Sequence, residues 1–115
     1  MKNKLLSSNV NDVWRELDEI VSNDKSLEYQ FSPNWNQVPK KLGITDKKQK
    51  KAFHARRHRK SSDWEFIVSI FEALDCKLYL VVPDKNEDKM LLTMFSHLEI
   101  DDRNLVLKLI NRLIK

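Results

Sequence analysis

The sequence predicts a small, mainly α-helical protein with one short β-strand. Its 115 residues include a single Gly and three Pro, which are fewer turn residues than a sandwich or barrel of short strands needs. Apolar residues recur at helical spacing in most segments, whereas strict alternation appears clearly in only one. With 41% hydrophobic residues at this length, we expect one domain with a modest core.

The chain is predicted to form that domain from three segments. Residues 1–33 hold an N-terminal helix and a connector, residues 34–83 a helical core that ends in the strand, and residues 84–115 a helical tail. Periodicity and capping residues predict helices at residues 11–21, 34–42, 46–60, 64–74, 85–97 and 101–114. Alternating apolar residues from Cys76 to Val82, followed by Pro83, predict the strand.

The apolar faces of these elements predict the core. Asn11 or Asp12 can cap the first helix. Its apolar face consists of Val13, Trp14, Leu17, Ile20 and Val21. Trp64 lies on a similar face and Cys76 in the strand alternation, so we expect both in the core. For Trp35 the pattern leaves core and surface open.

A single strand needs a partner, because its backbone donors and acceptors cannot stay unpaired. Two partners are open. One is its own copy across a two-fold axis, which would make the chain a homodimer. The other is the weakly alternating stretch Leu27–Phe31.

A basic run dominates the distribution of charge. Residues 40–60 hold ten Lys or Arg and one acid, Asp46, although the whole chain carries only +4; the remaining residues are net −5. Such a concentration of positive charge indicates a surface for a polyanion, which would relieve the repulsion between the cations. The alternative is a solvated helix face without a partner.

The only glycine, Gly43, lies between two helical segments, directly before the basic run. Glycine adopts positive φ at little steric cost, as the turn between the helices of a helix-turn-helix motif requires. The second helix of such a motif lies in the major groove of DNA. Gly43 therefore predicts that residues 46–60 form a recognition helix.

The stretch from Asn34 to Val82 resembles the Cro/repressor-type (XRE) helix-turn-helix family. NWNQVPKKLGIT is similar to its first helix and turn, DKKQKKAFHARRHRK to its second helix, and SSDWEFIVSIFEALDCKLYLVV to a later helix with a short strand. The ending resembles Hip-type antitoxins, in which that strand pairs across a dimer. Pro39 departs from the family pattern, so the first helix is expected to begin there or to be distorted. The resemblance implies a homodimeric repressor of transcription that binds double-stranded DNA, or an antitoxin that also binds a cognate toxin protein.

The resemblance also implies which residues contact DNA. The candidates are Asn34, Asn36, Lys47, Lys48, Gln49, Lys51, Arg56, Arg57, Arg59 and Lys60. The lysines and the glutamine at the start of the second helix are expected at base edges, since Lys can bond guanine and Gln adenine. The later basic residues are expected to hold phosphates, and the two asparagines to meet a phosphate at the start of the first helix.

Other functions have less support in the sequence. It contains no phosphate-cradling Gly loop, no nucleophile with an aligned base and no isolated carboxylate pair, so we expect no enzyme and no cofactor. His54 and His58 have the i, i+4 spacing of two metal ligands, but the metalloprotease pattern is absent and we expect no metal. The alternatives to DNA are RNA bound by residues 46–60, or a protein-interaction module. Such a module would use the acidic side chains of the first helix, which are Asp12, Glu16, Asp18 and Glu19.

The start of the chain is basic but lacks a long apolar run, and no stretch of about 18 apolar residues is present. Cys76 is the only cysteine, so no internal disulfide can form. We therefore expect a cytoplasmic protein without a membrane span.

Overall fold

Helices make up most of the residues that the structure, a computed structural model, describes. The described residues are 2–5, 9–84, 89–99, 101–106 and 108. In chain order the elements are β1 (Lys2–Leu5), α1 (Val10–Asn23), α2 (Val38–Lys41), α3 (Lys47–His58), α4 (Trp64–Ala73), β2 (Cys76–Asp84) and β3 (Lys89–Met94). Short 3-10 helices cover Lys25–Leu27, Asn34–Gln37 and Phe95–His97, and residues 101–106 are helical again. The predicted mainly α fold class is confirmed.

Side-chain caps fix where the helices begin. The Asn9 side chain accepts from the Asn11 N–H at 2.9 Å, so α1 starts slightly earlier than a cap at Asn11 or Asp12 would allow. Asp46 caps α3: its side chain accepts from the Gln49 N–H at 3.1 Å. Asp63 caps α4 in the same way. Each such cap contributes about 1 kcal/mol to the stability of its helix.

The core lies between α1, α4 and the first half of β2. Its largest fully buried side chains are Trp14, Phe53, Phe71, Phe95, Leu17, Leu27, Ile67, Ile70 and Leu78. The predicted apolar face of α1 is buried in full, and Cys76 is buried as expected. Trp64 packs against the core while remaining half-buried. Trp14 Nε1 donates to the Ser61 backbone oxygen at 2.9 Å, which ties α1 to the segment between α3 and α4.

β2 is the central strand of a three-stranded sheet within the described residues, in the order β1-β2-β3. β1 runs parallel to residues 76–79 of β2, and β3 runs antiparallel to residues 79–84. The strand thus takes both neighbours from its own chain and extends past its predicted end at Val82. Its neighbours are therefore not residues 27–31, which corrects that expectation. Pairing with its own copy stays a prediction, because within the described residues only Tyr79 of β2 is paired on both sides.

β3 corrects the predicted tail helix at residues 85–97. Helical spacing of the apolar residues suggested a helix, but adjacent apolar residues in KMLLTM suit a strand equally well, and the unpaired side of β2 provides its partner. Residues 85–88 lie outside the described residues. The predicted helix at 101–114 is present over 101–106, while 107 and 109–114 also lie outside them.

Candidate nucleic-acid interface

A tight turn around Gly43 leads from α2 towards α3. Gly43 has φ +76°. The Ile44 N–H donates to the Pro39 oxygen at 2.9 Å, and the Gly43 N–H donates to the Lys40 oxygen at 3.1 Å, the bonds of a Schellman motif. A Cβ at Gly43 would meet no atom within 4 Å. The turn therefore favours glycine for its backbone conformation, as predicted, and not for space.

The first helix of the motif is a composite. A 3-10 segment, Asn34–Gln37, passes directly into the single turn of α2, Val38–Lys41. Pro39 stands in the first turn of α2, where its missing N–H has no intrahelical acceptor to lose. The expected effect of Pro39 is confirmed: an α-helix forms only around and after it.

Phe53 fixes the rotation of α3 about its own axis. It is 2% exposed, and its ring centroid lies 5.5 Å from that of Phe66 and 6.3 Å from that of Trp35. Phe53 is the only buried residue of α3. Because Phe53 anchors one side of α3 in the core, the positions on the opposite side of the helix are exposed to solvent.

Arg56 and Arg57 lie over the rings on either side of that anchor. The Arg56 guanidinium carbon is 4.8 Å from the Phe66 ring centroid, and the Arg57 carbon is 4.8 Å from the Trp35 ring centroid, the geometry of cation–π contacts. Arg56 also lies 3.5 Å from the Asp63 carboxylate. Both arginines were predicted to hold phosphates; the structure gives them packing roles, and the phosphate contact stays a prediction.

Trp35, which the sequence left unassigned, joins α3 to α1. It is 8% exposed, and its Nε1 donates to Asp18 Oδ1 at 2.9 Å. Burial lowers the pKa of Arg57 from its ordinary value, and the Asp18 carboxylate acts in the opposite direction. An arginine stays protonated under such shifts, so a positive charge is fixed beside the core.

The face of α3 opposite Phe53 is here called the outward face. It consists of Lys47, Lys48, Lys51, Ala55 and His58. At about 100° per residue, these positions lie about 120–160° around the helix from Phe53. All five are exposed. Among the described residues, no carboxylate lies within 4.0 Å of the lysines of this face.

Three of the four predicted base-edge residues therefore share one face, and the fourth does not. Gln49 lies about 40° from Phe53 around the helix and lines a groove beside Leu42 and Ile44, although its side chain is exposed. Sequence reasoning missed Ala55 and His58, which complete the outward face. The spacing of positions 48, 51, 55 and 58 could have identified them, because it follows one side of a helix.

The end of α3 presents two further predicted phosphate ligands. Arg59 and Lys60 are exposed. Lys60 has φ +52°, and the Ser61 N–H donates to the Arg56 oxygen at 3.1 Å, so the helix ends in a Schellman motif with a lysine where glycine is usual. Both side chains lie beyond the last turn, free of the aromatic contacts that hold Arg56.

The two asparagines of the first helix differ in their surroundings. Asn34 Nδ2 donates to the Val21 oxygen at 2.8 Å and to the Asp24 oxygen at 3.2 Å, which holds the end of α1. Asn36 is exposed, and its Nδ2 donates to Ser32 Oγ at 2.9 Å. The amide of Asn34 is thus committed to the fold, whereas Asn36 remains accessible; a phosphate contact of either stays a prediction.

The two histidines of α3 have different surroundings: His54 is partly buried and His58 is exposed. In the part of the chain that the structure describes, no three or more His, Cys, Asp or Glu side chains are grouped to hold a metal ion. The His54 ring packs edge-on against Phe53 at 5.2 Å between centroids. Burial lowers the pKa of His54 from its ordinary value of 6.5, and the nearby Arg57 and His58 lower it further.

The acidic side chains of α1 are largely engaged within the chain. Asp12 pairs with Arg15 at 3.4 Å and Glu16 with Lys4 at 3.3 Å, while the carboxylate of Asp18 accepts from Trp35. These contacts give most of the predicted protein-binding surface a local role. Glu19 is exposed.

No protein-family model matches the chain, nor does any curated protein or solved structure that was compared with it. Within the described residues, no helix has the length and apolar character that crossing a bilayer requires.

Proposed function

We propose that the chain binds double-stranded DNA through the outward face of α3 and regulates transcription. The observation that supports this most is that Lys47, Lys48 and Lys51 share that face with no carboxylate within 4.0 Å among the described residues. Like charges at i, i+4, as at positions 47 and 51, destabilise a helix. DNA phosphates would offset this repulsion, and release of their counterions would favour binding.

In this proposal α3 enters the major groove with its N-terminal turns at the base edges. The three lysines can reach the guanine O6 and N7 acceptors. Ala55, in the middle of the outward face, adds little bulk and permits close approach. Arg59 and Lys60 contact phosphates, which fix the position of the helix without reading sequence.

The resemblance to Cro/repressor-type regulators extends the proposal to a homodimer that represses transcription. Two copies of α3 would then meet successive major grooves about 34 Å apart. The narrower version, an antitoxin that represses its own operon and binds a cognate toxin, is supported by that resemblance alone.

Fluorescence anisotropy with short labelled duplexes tests the proposal. We expect tighter binding to duplex DNA than to single-stranded RNA of the same sequence. If about five phosphates are contacted, log K should fall with log salt at a slope of about −4.5. A triple Lys→Gln variant at positions 47, 48 and 51 should lose most of this binding. Preference for the single-stranded RNA, or full binding by the triple variant, would contradict the proposal.

A second measurement separates a regulator from a non-specific DNA binder. Genomic fragments that include the chain's own promoter are compared in gel shifts at two salt concentrations. A regulator retains one fragment at the higher salt, because base contacts add to the phosphate contacts. Equal loss of every fragment would leave only non-specific binding.

A further inference from the structure

The turn before the first helix of the motif presents two aromatic side chains to solvent. Phe31 is fully exposed (105%) and Tyr29 is 57% exposed. The turn is held in shape: Ser32 N–H donates to the Tyr29 oxygen at 3.0 Å, Ser32 Oγ accepts from Asn36 at 2.9 Å, and Gln30 adopts φ +51°. We call Tyr29 and Phe31 the aromatic knob. Large side chains on a preorganised turn are typical anchors of protein–protein contacts.

An apolar groove of about 500 Å³ lies along one side of α3. Its lining includes Leu42, Ile44, Ala52, Phe53, Phe66 and Arg56. A groove of this size can take up one or two aromatic side chains. Its floor is largely apolar, and the guanidinium of Arg56 provides positive charge at its wall.

Charge complementarity indicates what the aromatic knob and the groove bind. Glu28, directly before the knob, is exposed, so the knob carries negative charge beside its rings. The groove has Arg56 in its wall, and the guanidinium of Arg56 also lies 3.5 Å from the Asp63 carboxylate. A nucleic acid would repel Glu28, whereas a second copy of the groove would attract it.

We propose that Phe31 of one copy occupies the groove of a second copy of the chain. The inference rests on the homodimer proposed above and supplies its contact surface. β2, the strand first expected to join two copies, already has β1 and β3 as neighbours within its own chain, and a contact through side chains is the alternative to a shared sheet. Since α3 itself forms one wall of the groove, through Ala52, the contact would also set the distance between the two recognition helices.

Sedimentation velocity of the full chain, in buffer without DNA, tests this contact. The wild-type chain should associate as its concentration rises. Phe31→Ser should weaken association by at least about tenfold, as loss of a buried aromatic anchor does, whereas Phe31→Tyr keeps the ring and should retain it. At concentrations too low for association, the melting temperature should not change on Phe31→Ser, since Phe31 is fully exposed in a single copy.

A matched pair of substitutions on α3 tests the groove. Ala52→Glu places a carboxylate in the groove, opposite the approaching Glu28, and should abolish association. Ala55→Glu adds the same charge to the same helix on the outward face and should leave association unchanged. Equal effects of the two substitutions would overturn the proposal.

Mixing the two defective variants gives the sharpest result. The groove is intact in Phe31→Ser and the knob is intact in Ala52→Glu, so an equimolar mixture should form pairs that neither variant forms alone. A mixture that stays monomeric, or a wild-type chain that is monomeric at all concentrations, overturns the proposal. Because DNA is absent from this experiment, that failure would leave the proposed DNA binding by α3 untouched. Binding of a duplex with one site by the monomeric Phe31→Ser variant would show that DNA binding does not depend on self-association.

Discussion

Lys50 and Lys51 are neighbours on α3 whose side chains point in different directions, and replacing each by Gln tests the outward face. Lys51 lies about 160° from Phe53 around the helix, whereas Lys50 lies about 60° from it. Both are exposed, and each substitution removes one positive charge. The long-range attraction of DNA falls by a similar amount in both variants, so any difference reports contact.

The expected difference can be estimated from one lost contact. Lys51→Gln should lower the affinity for a short duplex about tenfold, equivalent to about 1.4 kcal/mol, and should reduce the salt slope by about 0.9 if the contact is to a phosphate. Lys50→Gln should lower the affinity less than about threefold, with the slope nearly unchanged. Anisotropy titrations at several salt concentrations measure both quantities. Equal losses for the two variants would refute the assignment of the outward face.

Three further predictions concern the scaffold. Gly43→Ala should lower the free energy of unfolding by about 1 kcal/mol, because alanine is strained at φ +76°, as measured by urea denaturation; an unchanged midpoint would contradict the role of the turn. Asn34→Ala should cost about 1–3 kcal/mol by leaving carbonyls of the α1 end without their donor, and Asn34→Asp, which cannot donate, should not restore stability at pH 7. The lowered pKa of His54 means that the unfolded chain binds its proton first. His54 should therefore reduce stability as pH falls below 6.5 towards its folded pKa, and His54→Gln should flatten this part of the melting-temperature profile; a steeper profile would show the opposite sign.

The helices α1 and α3 were predictable because their signals are local. The apolar face of α1, the cap at Asp46 and the turn at Gly43 each follow from a few neighbouring residues, and the structure contains all three. Phe53 is the one large apolar residue in the basic run, and this local feature also points to its anchoring role. These features needed no knowledge of distant parts of the chain.

The sheet was less predictable because its signals are not local. Residues 2–5 show no apolar alternation, and KMLLTM suits a helix or a strand; both became strands because the edges of β2 accept them. The sequence correctly indicated that β2 needs a partner, but could not say which segments would supply it.

The candidate site was predicted in composition but not in detail. With Phe53 as the buried position, helical geometry alone places Lys51 on the outward face and Gln49 off it. The hydrogen bonds of Asn34 to the end of α1 involve Val21 and Asp24, which are 13 and 10 positions earlier in the chain. The stacking of Arg57 depends on the burial of Trp35. Neither follows from local sequence pattern.

The central claim is that the outward face of α3 meets DNA. It is tested most directly by amide chemical-shift changes in the ¹⁵N-labelled chain when a short duplex is added at low salt. The largest changes should fall on residues 47–58 of α3 and on its end at Arg59 and Lys60, with little change in α1. Changes concentrated on α1, or none at all, would contradict the claim.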